Sequence, residues 1–214
     1  MEDIILIGGG GHCKSVIDTL QKSTQFNIKG IIDLKEKVGS LINDVKIIGD
    51  DNDLEKIFKN GIKYAFITIG SIGNPAKRIQ LFEKAKKIGF KFPCIIDSTA
   101  IIARNVIFDE GTFVGKRVII NSNTKVGRNC IINSGAIIEH DCQIGDDVHI
   151  APGVVLSGNV YIGINTHVGT NSTIIQGIKI GKNTLIGAGS VLVKNISKNK
   201  KAYGNPCKEV ENIE

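Results

Sequence analysis

The chain has 214 residues, and four of them are histidines, at positions 12, 140, 149 and 167. His140 stands between Glu139 and Asp141 in the run IEHDC. A carboxylate beside an imidazole holds its tautomer and favours the protonated ring during turnover, which is the setting of a general base. His149 and His167 differ by 18, and His140 and His149 by nine. The bland reading of the later pair is an exposed structural position, and it weighs more for His167 than for His149. Neither the histidine spacings nor the five cysteines, which include no CxxC, match a metal-ligand pattern. No metal is expected. The odd cysteine count, without an export signal, reads as reduced thiols in a cytoplasm.

A second candidate lies near the N-terminus. The apolar run DIILI leads into GGGGH at 8–12, and a helical pattern follows from Cys13. Amides at such a strand–helix turn hold phosphate groups. Asp33 ends the next apolar run, 23 residues after Gly10, where an acid reaches a ribose hydroxyl in dinucleotide folds. The third glycine of that fingerprint is replaced by Cys13, and about 95 residues make only half of a dinucleotide fold. A single nucleotide, such as a nucleotide sugar, is therefore favoured over NAD, with a ligand-free glycine turn as the alternative. His12 is placed to touch a phosphate or sugar, or to cap the turn.

The elements that must position these residues divide in two. Strand and helix patterns alternate up to a last strand expected at 92–97, which is a small parallel α/β domain over 1–98. A helix is expected from Asp50 and another from Pro75 to Gly89. From Ile102 to Leu192 every sixth residue is large and apolar, sixteen in all, without a gap. Neither strand nor helix periodicity gives a strict six. Three hexads of short strands and sharp turns close one triangular coil, so residues 99–197 read as a parallel β-helix whose inner column is its core. Glycine often follows the apolar position (115, 127, 145, 163, 169, 181, 187), where positive φ or close approach is expected. Residues 198–214 are expected as a C-terminal tail, and the stretch Lys194 to Lys201 holds four lysines and no acid.

Composition agrees. There are 39 isoleucines, 25 glycines, no tryptophan and 42% hydrophobic residues, which excludes disorder and suits repeated small packing units. A net charge of +6 with four arginines, and no basic–aromatic patch, argues against a nucleic-acid partner. No apolar run approaches the length of a membrane span.

Taken together, GGGGH, the terminal Asp33 and the hexads around INSGAIIEHDCQIGDDVHIAPG resemble the bacterial nucleotide-amino-sugar N-acetyltransferases of the sialic-acid O-acetyltransferase-like group, over nearly the whole chain. The closing YGNPCKEV is similar to that family's ending. The resemblance implies a left-handed β-helix behind a half-Rossmann-like domain, a cytoplasmic homotrimer, an acetyl-CoA donor and a UDP-linked 4-amino sugar acceptor used in surface glycans or polysaccharides. It implies His140 as catalytic base with Asp141 beside it. It places His149, Gly158 and Ala188 at acetyl-CoA, and Gly10, His12, Asp33 and Asn133 at the acceptor. Backbone amides or His149 would hold the developing oxyanion. The loop departs from the family's G-A-S-G-H-G in lacking the serine. O-acetylation of a sialic-acid-like sugar is the rival activity, and a non-catalytic nucleotide-sugar scaffold the rival of another class.

Overall fold

A computed structural model describes residues 1–213. It divides into two compact units, one of residues 1–70 and 76–98, the other of 71–75 and the described residues from 99 onward. The segment 71–75, between a strand and a helix of the first unit, thus belongs with the second.

The first unit is a five-stranded sheet. Its elements run β1 (Glu2–Ile7), α1 (Gly11–Gln21), β2 (Phe26–Ile32), β3 (Leu41–Ile42), β4 (Val45–Gly49), α2 (Leu54–Lys59), β5 (Tyr64–Ile67) and α3 (Ala76–Ile88). The strand order is β3-β4-β2-β1-β5, with all neighbours parallel except β3 and β4. Ile4 to Ile7 of β1 are all buried, because a central parallel strand is covered on both faces. From β1 the chain goes to β2 on one side and later to β5 on the other. The glycine loop therefore leaves the sheet where the strand order reverses, the usual ligand crevice of such sheets. The helix expected from Asp50 begins only at Leu54, because residues 50–53 form a turn in which Asp53 accepts the Asp50 amide at 3.0 Å. The strand expected over 92–97 is only Ile95–Ile96.

The second unit is a left-handed parallel β-helix built from two-residue strands. Ile101 pairs with Ile119 and Ile119 with Ile137, and the same step recurs on each of three faces. The second residue of each strand points inward, and from Val114 to Leu192 this column is at most 4% exposed. Each such Ile, Val or Leu contributes about 1.5–3 kcal/mol by leaving water. The small position four residues on closes the coils against each other. The hydroxyls of Thr112, Thr124, Thr166 and Ser172 donate to the carbonyls of Gly127, Glu139, Gly181 and Gly187 on the adjacent coil. Cys130 and Cys142 occupy the same slot, their thiols aimed at the Gly145 and Ser157 carbonyls at 3.1 and 3.3 Å.

The structure decides between the two readings of one glycine column and gives the C-terminal stretch a form. The glycines directly after the inward residue do not take positive φ. A β-carbon on Gly163 would come 2.5 Å from the Lys182 amide nitrogen, so close approach of successive coils is what excludes larger residues. Positive φ falls two residues later, at every sixth position from Gly111 to Gly189, filled by Gly, Asn, Asp and once Arg117. These are residue types that visit the left-handed region at little cost, Arg117 excepted. The stretch expected as a tail is also ordered. Lys200–Gly204 and Cys207–Asn212 form an antiparallel hairpin, and its first strand adds to the third face beside Leu185–Ile186. Lys200 meets Glu209 at 3.5 Å and Lys201 meets Glu211 at 2.7 Å, so the returning strand supplies the acids that the lysine run lacks.

Candidate active site

His140 sits at the corner that leaves the first face of the β-helix, immediately after the strand Ile137–Ile138. Its ring is open to solvent, and Nδ1 lies 2.7 Å from Asp141 Oδ2. Asp141 adopts positive φ, so the corner turn itself swings its carboxylate beside the preceding ring. The hydrogen bond to His140, then one from the Asn123 amide at 3.2 Å, hold that carboxyl below its ordinary range. It stays ionised and accepts from Nδ1–H, which leaves His140 Nε2 with a free lone pair directed away from Asp141. Behind the ring is Gly158, one coil on. A β-carbon there would stand 2.6 Å from the imidazole, so glycine gives the ring its seat.

His149 lies half a coil away, on the third face, beginning the strand His149–Ile150. It is not the exposed edge residue of the bland reading: both His149 and His167 are 8% exposed. Nδ1 of His149 is 2.7 Å from the Ser71 carbonyl oxygen, and the His167 ring stands edge-on to it at 4.7 Å. Asn133 and Ala188 are found at the corner that leaves this third face. The Asn133 side-chain oxygen accepts its neighbour's amide at 2.8 Å, and Ala188 is exposed. One chain therefore brings His140, Asp141 and Gly158 together and sets Asn133, Ala188 and His149 apart from them.

In the first unit, Gly10 caps α1 with open space around it. Asp33 closes the same loop from β2: Oδ2 accepts the Gly9 amide at 2.9 Å and Oδ1 the Leu34 amide at 2.7 Å. A side chain on Gly9 would collide with this carboxylate, and the Thr68 hydroxyl binds the Gly8 carbonyl. His12, at the first turn of α1, is largely covered. Burial, then the charge of Arg78, push its pKa down to about 4, so it meets any ligand as a neutral ring. Burial pushes the Cys13 thiol up to about 11, an inert packing residue. Arg78 itself is 1% exposed and escaped the sequence reading. The signal was present: Arg78 shares the 78, 81, 82, 85 stripe of α3 with Leu81, Phe82 and Ala85, an arginine where the pattern wants an apolar residue.

Among the described residues no three His, Cys, Asp or Glu side chains cluster as metal ligands would, and no helix is long and apolar enough to cross a membrane.

The PglD N-terminal domain model matches residues 3–85, and the bacterial transferase hexapeptide model matches 123–158 and 159–194. No curated protein sequence matches significantly. Among solved structures, PerB from Caulobacter crescentus, in complex with CoA and GDP-perosamine, is 32% identical with a TM-score of 0.92, covering 99% of this chain and 98% of that one. A histidine-to-asparagine variant of perosamine N-acetyltransferase from the same organism, with the same two ligands, is 31% identical at a TM-score of 0.93, with the same coverage. The acetyltransferase domain of PglB from Neisseria gonorrhoeae, bound to acetyl coenzyme A, is 29% identical at 0.88, covering 98% and 99%. With both units matched end to end, the chain belongs to the hexapeptide-repeat sugar N-acetyltransferases that carry a PglD-type N-terminal domain.

Proposed function

We propose that this chain transfers the acetyl group of acetyl-CoA to the amine of a nucleotide-linked amino sugar, with His140 as general base. The observation that carries the assignment of the base is the 2.7 Å contact of His140 with an ionised Asp141, in a ring open to solvent and seated on Gly158. His140 Nε2 takes a proton from the acceptor amine as its nitrogen attacks the thioester carbonyl. The C–N bond forms, the tetrahedral intermediate collapses, the C–S bond breaks, and the imidazolium returns the proton to the departing thiolate. General-base assistance of this kind contributes about 10²–10⁴ in rate. The glycine loop with Gly10, His12 and Asp33 takes the acceptor's nucleotide, and Asn133 its sugar. His149, Gly158 and Ala188 contact the donor. The solved relatives hold CoA or acetyl-CoA, and both from Caulobacter crescentus hold GDP-perosamine as well, so GDP- and UDP-linked amino sugars are both acceptors to test.

The assembly is a trimer. His140 and His149 lie half a coil apart on different sides of one β-helix, so a shared site needs a second subunit's side. Ile101, Ile107, Tyr161 and Ile164 are 42–65% exposed, apolar surface that a neighbour would cover. Five cysteines, none of them in a disulfide, suit a cytoplasmic enzyme working where acetyl-CoA is made. The test is thiol release from acetyl-CoA across a panel of GDP- and UDP-linked amino sugars, with light scattering for mass. Acceptor-dependent release from a particle of about three times 23.0 kDa is expected. Release with none of the panel, or full activity as a monomer, would sink the reading.

A further inference from the structure

We propose that Asn123 is a positioning residue for the reaction: its side-chain amide sets the plane of the Asp141 carboxylate and, through it, the ring of His140; this rests on the acetyl-transfer reading above. Asn123 lies 18 residues before Asp141, one coil back on the same corner. Both take positive φ, +61 and +60, so their side chains leave the corner in the same direction, one above the other. The Asn123 amide nitrogen is 3.2 Å from Asp141 Oδ1, while His140 Nδ1 is 2.7 Å from Oδ2. A carboxylate only accepts, so the group that Asn123 turns toward it is the NH₂. The Asp141 side chain is 51% exposed. The terminal torsion of an aspartate is broad, and a solvated carboxylate with one partner turns and trades that partner for water. With each oxygen held from a different side, it cannot turn without losing both bonds.

The neighbours of Asn123 hold the backbone of the same corner. The Ser122 carbonyl accepts the Asp141 amide at 2.9 Å. The Thr124 hydroxyl donates to the Glu139 carbonyl at 3.0 Å and accepts the Cys142 amide at 3.3 Å. Ser122 and Thr124 thus fix the main chain on both sides of His140 and Asp141, and Asn123 between them reaches the side chain. The next corner round the coil shows what this column does with no histidine beside it. There Asn129 donates to Asp147 at 2.6 Å, Asn165 to Asn183 at 3.0 Å and Asn183 to Asn199 at 3.0 Å. A ladder of amides is a structural habit of the positive-φ column. At the His140 corner one rung of that ladder ends on the carboxylate that orients the base.

The test removes the amide and keeps the backbone. Asn123→Gly retains a residue at ease with positive φ and deletes only the side chain. Long-range ¹⁵N–¹H spectra of the neutral imidazoles read the tautomer. A solvated histidine prefers its proton on Nε2, so wild-type His140 should carry it on Nδ1, and Asn123→Gly should move it back toward Nε2. The same variant should lower kcat about threefold to fivefold, with KM for acetyl-CoA and for the acceptor unchanged. Asn123→Asp, which sets a second carboxylate against the first, should cost about tenfold. Asn165→Gly is the control: it removes a rung of the same kind away from His140, so its urea midpoint should fall as in Asn123→Gly while kcat and the tautomer stay at wild type. Circular dichroism and light scattering check that each variant folds and assembles. An unchanged His140 tautomer or an unchanged kcat in folded Asn123→Gly overturns the positioning role. So does an equal loss of kcat in Asn165→Gly, which would make the effect one of stability alone. The tautomer is measured without turnover, so it fails separately from the acetyl-transfer reading, which fails on thiol release.

Discussion

His140 and His149 stand nine residues apart on the same repeat and could hardly be housed more differently. His140 is half open to water at a corner, oriented by one exposed carboxylate. His149 is enclosed on a flat face, oriented by a main-chain carbonyl and a second ring. The difference teaches what each environment is for. A carboxylate partner supports a ring that gains and loses a positive charge, while a neutral carbonyl fixes a tautomer without inviting one. The first arrangement suits proton transfer and the second suits recognition.

The comparison breaks most easily at His140. His140→Ala should lower kcat by at least about a hundredfold while leaving acetyl-CoA affinity nearly unchanged, because the lost interaction exists mainly in the transition state. Near wild-type kcat with a good acceptor would remove His140 as the base. Gly158→Val attacks the same ring from behind, and steady-state kinetics should show kcat falling by tens-fold with the histidine still present. If the rate survives, the ring does not work from the seat described. His149→Ala should act differently, cutting the rate about tenfold and raising the acetyl-CoA KM along with it. A pure kcat effect would erase the distinction between the two histidines. Asp141→Asn should cost less than His140→Ala, about tenfold or under, since a neutral amide can still orient the ring but no longer stabilises its charge.

The smallest effect lies in the first unit and is one of stability. His12 titrates near 4 when folded and near 6.5 when not. The unfolded chain therefore takes up its proton first as pH drops, and folding stability is lost between about pH 6.5 and pH 4. Urea midpoints should fall over that window in the wild type and fall less in His12→Gln. Parallel curves would mean that the ring is not buried neutral.

Much of the β-helix was legible because its rule is local. Each coil repeats the same six-residue demand, so Ile102 to Leu192 could be read by stepping, and the His140–His149 offset followed from arithmetic. Asp33 was legible because its place at the end of β2 is a property of strand order. What escaped depended on partners distant in sequence. His149 is met by the Ser71 carbonyl, 78 residues upstream, and an outward-facing histidine gives no sign of a partner arriving from elsewhere. Arg78 carried a periodicity signal that was passed over. The positive-φ column was also present, as Asn, Asp and Gly at every sixth residue, while the seven glycines beside the inward column left positive φ and close approach both open. Those glycines answer to contact between coils, a demand with no backbone signature.

The C-terminal hairpin has a consequence beyond its own lysine–glutamate pairs. A solenoid of identical coils is a polymer in waiting, since its last turn offers unpaired N–H and C=O groups in the same direction as every turn before it. Here Lys200–Gly204 continues the parallel stack by one strand, and Cys207–Asn212 then runs back against it. The outermost strand on that face has the wrong polarity for another coil to join. It also presents Lys208, Glu209 and Glu211, charges that do not stack on copies of themselves. On that face the parallel template ends in a reversed strand, so the hairpin closes one of the three edges that a further coil would need.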